Sequence, residues 1–193
     1  MTLSQAERSR MHLPPAVALD MYRRMHKIRQ FDEIARALIY GLRGEVPEPE
    51  YLIPLGQADI KRAGSDVAVV AVGHLVHEAL QAADQLAGEG ISAEVVDPRT
   101  LYPLDVPSIL ASVHRTGRLV VADDGYRFCR FGSEVAAIAA ERAFDALRAP
   151  VARVSRPQLP VPYSPPLLKE VTPAAAHVHA AVRRVVGRPV SVG

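Results

Sequence analysis

Asparagine and tryptophan are absent from all 193 residues, and there is a single cysteine, Cys129. One cysteine cannot build a disulfide framework or a cysteine-based zinc site within a chain. Aromatic residues make up 5% of the sequence, too few for a platform on which nucleic-acid bases would stack. The formal charge of +2 is small, and no Lys/Arg block is long enough to grip a polyanion. No apolar run approaches the ~20 residues that span a bilayer. The opening MTLSQAERSRMHLPP lacks the long apolar core of a signal peptide. These absences lead to the expectation of a cytoplasmic protein with neither nucleic acid nor membrane as partner. No internal repeat or low-complexity block is present.

What remains is ordinary globular composition, 49% apolar and 23% charged, in a length that suits one domain with an arm. From Val17 to Tyr40 the residues Val17, Met21, Met25, Ile28, Ala35 and Leu38 recur at helical spacing, with Arg23, Arg24, Lys27 and Arg29 between them. This predicts a long amphipathic helix ending before Gly41, within an arm over residues 1–43. Residues 44–51, GEVPEPEY, hold two prolines and three glutamates and read as a linker. The globular domain is expected over 52–187, with a short tail at 188–193.

Inside that domain a strand is predicted near Leu52–Leu55, and a wholly apolar one at Val67–Val72. The helix His74–Ala87 places Leu75, Val76, Ala79, Leu80, Ala83 and Leu86 on one face. Strands follow at Ala93–Val96, Leu119–Ala122 and Val151–Val154. Between the first two of these, Asp105 caps a helix with Pro107 in its first turn. An alanine-rich helix is expected over Ser133–Leu147, and a proline-studded crossing over Pro157–Pro166. Thr172-Pro173 then opens a last helix that aligns Val178, Ala181, Val182, Val185 and Val186. Apolar strands alternating with amphipathic helices predict a mostly parallel sheet of about five strands in a three-layer α/β/α sandwich, with the N-terminal helical arm outside it.

The wording of this stretch is specific. IPLGQADIKRAGSDV, VHEALQAADQLAGEGISAEVVDPRTLYPLD and TGRLVVADDGY resemble the C-terminal domain of the beta subunit of thiamine-diphosphate-dependent 2-oxoacid dehydrogenases, the E1 components. That domain is of the transketolase C-terminal family. The arm has a resemblance of its own. ALDMYRRMHKIRQFDEIAR is similar to the opening of the E1 alpha subunit, with a change of wording near Ala35–Leu38. LIYGLRGEVPEPEYLIPLG then resembles the exit from the beta subunit's pyrimidine-binding domain.

The resemblance implies an enzyme that decarboxylates a 2-oxoacid on thiamine diphosphate and passes the acyl group to the lipoyl arm of its E2 partner. The C-terminal beta domain would supply subunit contacts, in a homodimer or with E1 alpha/beta-type partners, and a docking surface for the E2 subunit-binding domain. The domains that hold thiamine diphosphate and Mg²⁺ are not recognisable in this sequence. The family's metal motif is Gly-Asp-Gly with a later asparagine. Asp123-Asp124-Gly125 looks like its start, but the sequence has no asparagine. The expectation is therefore that this chain alone binds no cofactor or metal and has no catalytic residues.

Single residues point the same way. His74 and His77 have a chelating spacing, but no third ligand is signalled, so His74 reads as a turn cap and His77 as a solvent-facing residue. His177 and His179 read as surface or interface residues. Gly73 between strand and helix reads as a tight turn, since no GxGxxG surrounds it. No base that would activate Cys129 is visible in the sequence. Asp97 and Arg99 read as a structural pair. The segment DGYRFCRFGSE is read as a contact loop, with Tyr126, Phe128 and Phe131 interleaved with Arg127 and Arg130. The alternative for that loop is local packing of its three aromatics. Two readings of the whole chain stand beside the assembly role: a non-catalytic interaction module or truncated gene remnant, and a nucleotide-binding α/β domain.

Overall fold

Three apolar strands form the centre of the domain. In a computed structural model, residues 52–160, 162 and 164–187 are described. The arm, the linker and the tail lie outside them. The elements are β1 (Asp59–Arg62), β2 (Val67–Ala71), α1 (Leu75–Gly88), β3 (Ala93–Asp97), α2 (Val106–Thr116), β4 (Leu119–Tyr126), α3 (Phe131–Arg142), a 3₁₀ turn (Phe144–Ala146), β5 (Ala152–Arg156), α4 (Pro165–Val171) and α5 (Ala175–Val186).

The strands make one five-stranded sheet of order β1-β3-β2-β4-β5. β2 pairs in parallel with β3 and β4, and β4 with β5, while β1 runs antiparallel to β3 at the edge. Alternate residues of the central strands face opposite ways. Val67, Val69 and Ala71 join a core cluster with Leu75, Leu86, Val178, Val182 and Val185 of α1 and α5. Ala68, Val70, Leu119 and Val121 join a second cluster with Ile109 and Val113 of α2 and Val135 and Ala139 of α3. The sheet is thus covered on both faces, which is why β2 is wholly buried and carries no polar residue. Full burial of a side chain such as Leu86 stabilises by about 1.5–3 kcal/mol.

Among the described residues four polar side chains are also buried: Glu94, Ser112, Thr116 and Asp123. Glu94 of β3 is 1% exposed and pairs with Arg115 of α2. Its Oε1 has no partner among the described residues. Close approach also fixes Gly64, where a Cβ would fall inside the contact distance of the Glu94 nitrogen and the Ala93 carbonyl group.

Four expectations are corrected. No strand forms at Leu52–Leu55. Leu52 and Leu55 are about half exposed, and the chain turns at Gly56 with φ +70°. The edge strand is instead Asp59–Arg62, held by its ladder with β3. The alanine-rich helix starts earlier, at Phe131, and stops at Arg142, where Ala143 leaves helical geometry (φ −141°) and a 3₁₀ turn follows. The proline-rich crossing gives way at Pro165 to a helix, α4, with proline in its first turn, where the missing N–H costs nothing. Thr172 does not cap the last helix. Its hydroxyl donates to the Leu168 carbonyl at the end of α4, and Ala174 is the N-cap of α5.

Candidate functional site

From β2 the chain winds one way to β3, then passes back over β2 to β4. This reversal opens a crevice at the carboxyl ends of β2 and β4, the place where open parallel sheets present functional loops. On one side stand Gly73 and His74. Gly73 makes the strand-to-helix turn at φ +64°. His74 occupies the N-cap position of α1 but makes no side-chain cap bond. Its Nδ1 lies 3.4 Å from Asp124 Oδ2 instead, across the crevice. His77 is exposed. Among the described residues no group of three or more His, Cys, Asp or Glu is placed to hold a metal.

On the other side β4 runs into the segment from Asp123 to Ser133. Asp123 is 8% exposed. Its Oδ1 accepts the N–H of Gly125 at 2.7 Å, and its Oδ2 accepts that of Gly132 at 3.2 Å. A buried carboxylate needs such donors, and these tie the loop's entrance to its exit. Both carboxylate oxygens thus accept backbone N–H groups.

The five residues read as a contact loop do not share one environment. Tyr126, the last residue of β4, is half-buried with the Arg130 guanidinium 5.8 Å from its ring centroid, a cation–π distance. Phe131 begins α3 and packs against the second core cluster. Phe128 is 75% exposed. Arg127 and Arg130 are exposed. Local packing accounts for Phe131, and it does not account for Phe128. Cys129 is exposed and adopts φ +51°, a left-handed conformation that is strained for a residue with a Cβ.

A residue outside the loop completes the site. Arg153 of β5 donates from Nη1 to the Arg127 carbonyl at 3.1 Å and to the Ser133 hydroxyl at 2.5 Å. Ser133 Oγ also donates to that carbonyl at 3.3 Å. Arg127, Phe128, Cys129, Ser133, Ala136 and Arg153 line an open cleft of about 440 Å³. Sequence reading missed Arg153 because its role depends on pairing β5 with β4, and nothing local marks it.

The remaining residues are structural. Arg99 donates from its backbone N–H to Asp97 Oδ1 at 2.9 Å, and its Nη2 meets Asp59 Oδ2 at 2.7 Å. Lys61 reaches the same oxygen at 2.8 Å. The Lys61 hydrogen bond, then the nearby charges of Lys61 and Arg99, lower the Asp59 pKa against the opposing effect of burial. His177 Nδ1 accepts the Ala174 N–H at 3.1 Å, and His179 Nε2 lies 2.7 Å from Glu89 Oε1. No helix among the described residues is long and apolar enough to cross a membrane.

Comparison with known proteins places this geometry among relatives. The family model of the transketolase C-terminal domain matches residues 56–178. The beta subunit of acetoin:2,6-dichlorophenolindophenol oxidoreductase from Cupriavidus necator is 50% identical over 146 residues, 76% of this chain and 43% of that protein. Its Bacillus subtilis counterpart is 45% identical over 150 residues, 78% and 44% of the two chains. The pyruvate dehydrogenase E1 component subunit beta of Bacillus subtilis is 47% identical over 127 residues, 66% and 39%. A solved structure described as split gene transketolase, inactive beta4 tetramer, superposes with a TM-score of 0.64 at 31% identity, covering 75% of this chain and 46% of that one. The chain spans less than half the length of these relatives.

Proposed function

The chain belongs to the transketolase C-terminal domain family, and from that premise we propose that it acts as an E1 beta-type assembly and docking domain of a 2-oxoacid dehydrogenase. It would make subunit contacts and present a surface to the E2 subunit-binding domain, without catalysing decarboxylation by itself. The observation that carries this reading is the Asp123 carboxylate. The one segment that resembles a diphosphate-metal motif spends both oxygens of Asp123 on backbone N–H groups. Differential binding of a transition state on thiamine diphosphate requires groups that hold the cofactor.

Exposed apolar side chains support the contact role. Tyr102 is 95% exposed and Phe128 75%, and aromatics left in water are the usual anchors of protein interfaces. The relatives carry the word subunit in their names, which agrees with a chain that works in company. The test is sedimentation velocity of the full chain mixed with the alpha-type partner of the Cupriavidus necator oxidoreductase, and separately with an E2 subunit-binding domain. A faster-sedimenting species in either mixture supports the reading. A chain that sediments unchanged in both overturns it.

A further inference from the structure

Four arginines, Arg127, Arg130, Arg153 and Arg156, lie on β5 and on the loop that follows β4. Among the described residues none of the four is in an ion pair with a carboxylate. The acids closest in sequence do not neutralise them. Asp123 is committed to Gly125 and Gly132, Asp124 lies against His74, and Glu134 sits exposed in the first turn of α3. Arginine cannot relieve the mutual repulsion by losing a proton, because its pKa exceeds ~12. Arg156, register partner of Tyr126, has a buried Nε without an acceptor. Donors and positive charge are thus in surplus at this corner.

Arg153 is held in place rather than free to wave in solvent. Its Nη1 is spent on the Arg127 carbonyl and the Ser133 hydroxyl. Nε and Nη2 have no hydrogen-bond partner among the described residues. A guanidinium fixed at one nitrogen with its other donors unused is pre-organised for a two-pronged bond to an oxyanion. The cleft that Arg153 lines with Arg127 has a volume of about 440 Å³, within the ~300–1,000 Å³ range of small-molecule sites. One of its walls is the loop at the carboxyl end of β4, the kind of place where α/β sheets take ligands.

We propose that this cleft binds a small-molecule oxyanion, a phosphate or carboxylate group, between Arg127 and Arg153. The cleft shares Phe128 with the proposed contact surface, but anion binding by the free chain does not depend on that role. Phosphate and carboxylate share the chemistry that the guanidinium fork recognises, so inorganic phosphate and citrate serve as separate probes.

Cys129 lines the cleft, is exposed, and is the one cysteine of the sequence, so its alkylation reports occupancy. The experiment follows the rate of Cys129 alkylation by iodoacetamide, an uncharged reagent, in the full chain. Phosphate or citrate is titrated against chloride at matched ionic strength. At ten times the dissociation constant, the rate should fall about tenfold by mass action, with a saturable dependence on the anion. Arg127→Gln should abolish the protection. Its backbone carbonyl, which holds Arg153 and Ser133, is retained, so the loop keeps its anchors. Arg153→Gln should abolish it as well, with an unchanged circular dichroism spectrum checking the fold. Equal slowing by chloride, or protection that survives Arg127→Gln, would overturn the proposal. So would protection by a hexaglutamate peptide with none from phosphate or citrate, which would assign the cleft to an acidic protein segment.

Discussion

Asp123 Oδ2 accepts the backbone N–H of Gly132 at 3.2 Å, joining the end of a central strand to the first turn of α3. The same carboxylate holds Gly125 through Oδ1 at 2.7 Å. The loop between these two anchors carries Arg127, Phe128 and Cys129, so one buried side chain ties both ends of the loop. Replacing Asp123 by alanine leaves two backbone donors without their acceptor. Each orphaned donor costs about 1–3 kcal/mol. Asp123→Ala is expected to lower the urea midpoint and to make the 126–131 segment more sensitive to limited trypsin cleavage at Arg127 and Arg130. An unchanged cleavage rate would show that the loop is held by other contacts.

Gly64 is expected to tolerate no side chain. Alanine there would force the chain away from the Glu94 nitrogen on β3, in a backbone-to-backbone clash that no rotamer relieves. Overpacking of this kind costs typically 1–3 kcal/mol, occasionally more. Thermal unfolding of Gly64→Ala against wild type measures it. Gly88→Ala is the control, since a Cβ at Gly88 meets nothing within 4 Å.

Glu78 of α1 caps α5 across a separation of 97 residues, its Oε2 accepting the Ala175 N–H at 2.7 Å. An acidic group at a helix N-terminus also opposes the positive end of the dipole. Glu78→Ala is expected to destabilise the domain by about 0.5–2 kcal/mol, the range for a lost N-cap. Amide exchange should quicken first at Ala175 to His177. Global unfolding free energy that does not move, with no local change in exchange, would contradict the cap.

The N-cap Asp105 supplies a pH signature. Burial opposes its ionisation, but hydrogen bonds from the Ala58 N–H and from the Ser108 hydroxyl and N–H outweigh that, and its pKa lies below the ordinary carboxylate value. A carboxylate whose folded pKa is depressed stabilises the fold above its unfolded pKa, near ~3.9. That contribution is lost as pH falls through the lower, folded value. Asparagine is a good N-cap and keeps the shape without the charge. The stability difference between wild type and Asp105→Asn should therefore be full near about pH 6 and shrink below about pH 4. A difference constant across that range would mean that the charge is not involved.

Much of this fold is legible in the sequence because its core elements are dictated locally. The apolar run Val67–Val72 leaves no polar residue for solvent, so a strand buried on both faces follows directly. Asp105 with Pro107, and the aligned Val178, Ala181, Val182 and Val185, mark two helices by spacing alone. The parts that sequence reading missed depend on distant partners. Asp59–Arg62 reads as a charged turn until β3 supplies its ladder. Pro165 and Pro166 suggest a crossing, yet they suit the first turn of α4. At the candidate site, five loop residues were visible as an aromatic–arginine cluster. The Asp123 anchor emerges only once the loop and the start of α3 fold back onto β4, and the Arg153 anchor only once β4 and β5 are paired.

The central claim is that the chain acts by contact and does not hold the cofactor of its relatives' chemistry. Calorimetric titration of thiamine diphosphate into the full chain with Mg²⁺ tests this most directly. The expected trace shows heats of dilution only, at every concentration up to the millimolar range. A saturable isotherm that disappears when Mg²⁺ is chelated would contradict the claim and show that this chain holds the cofactor by itself.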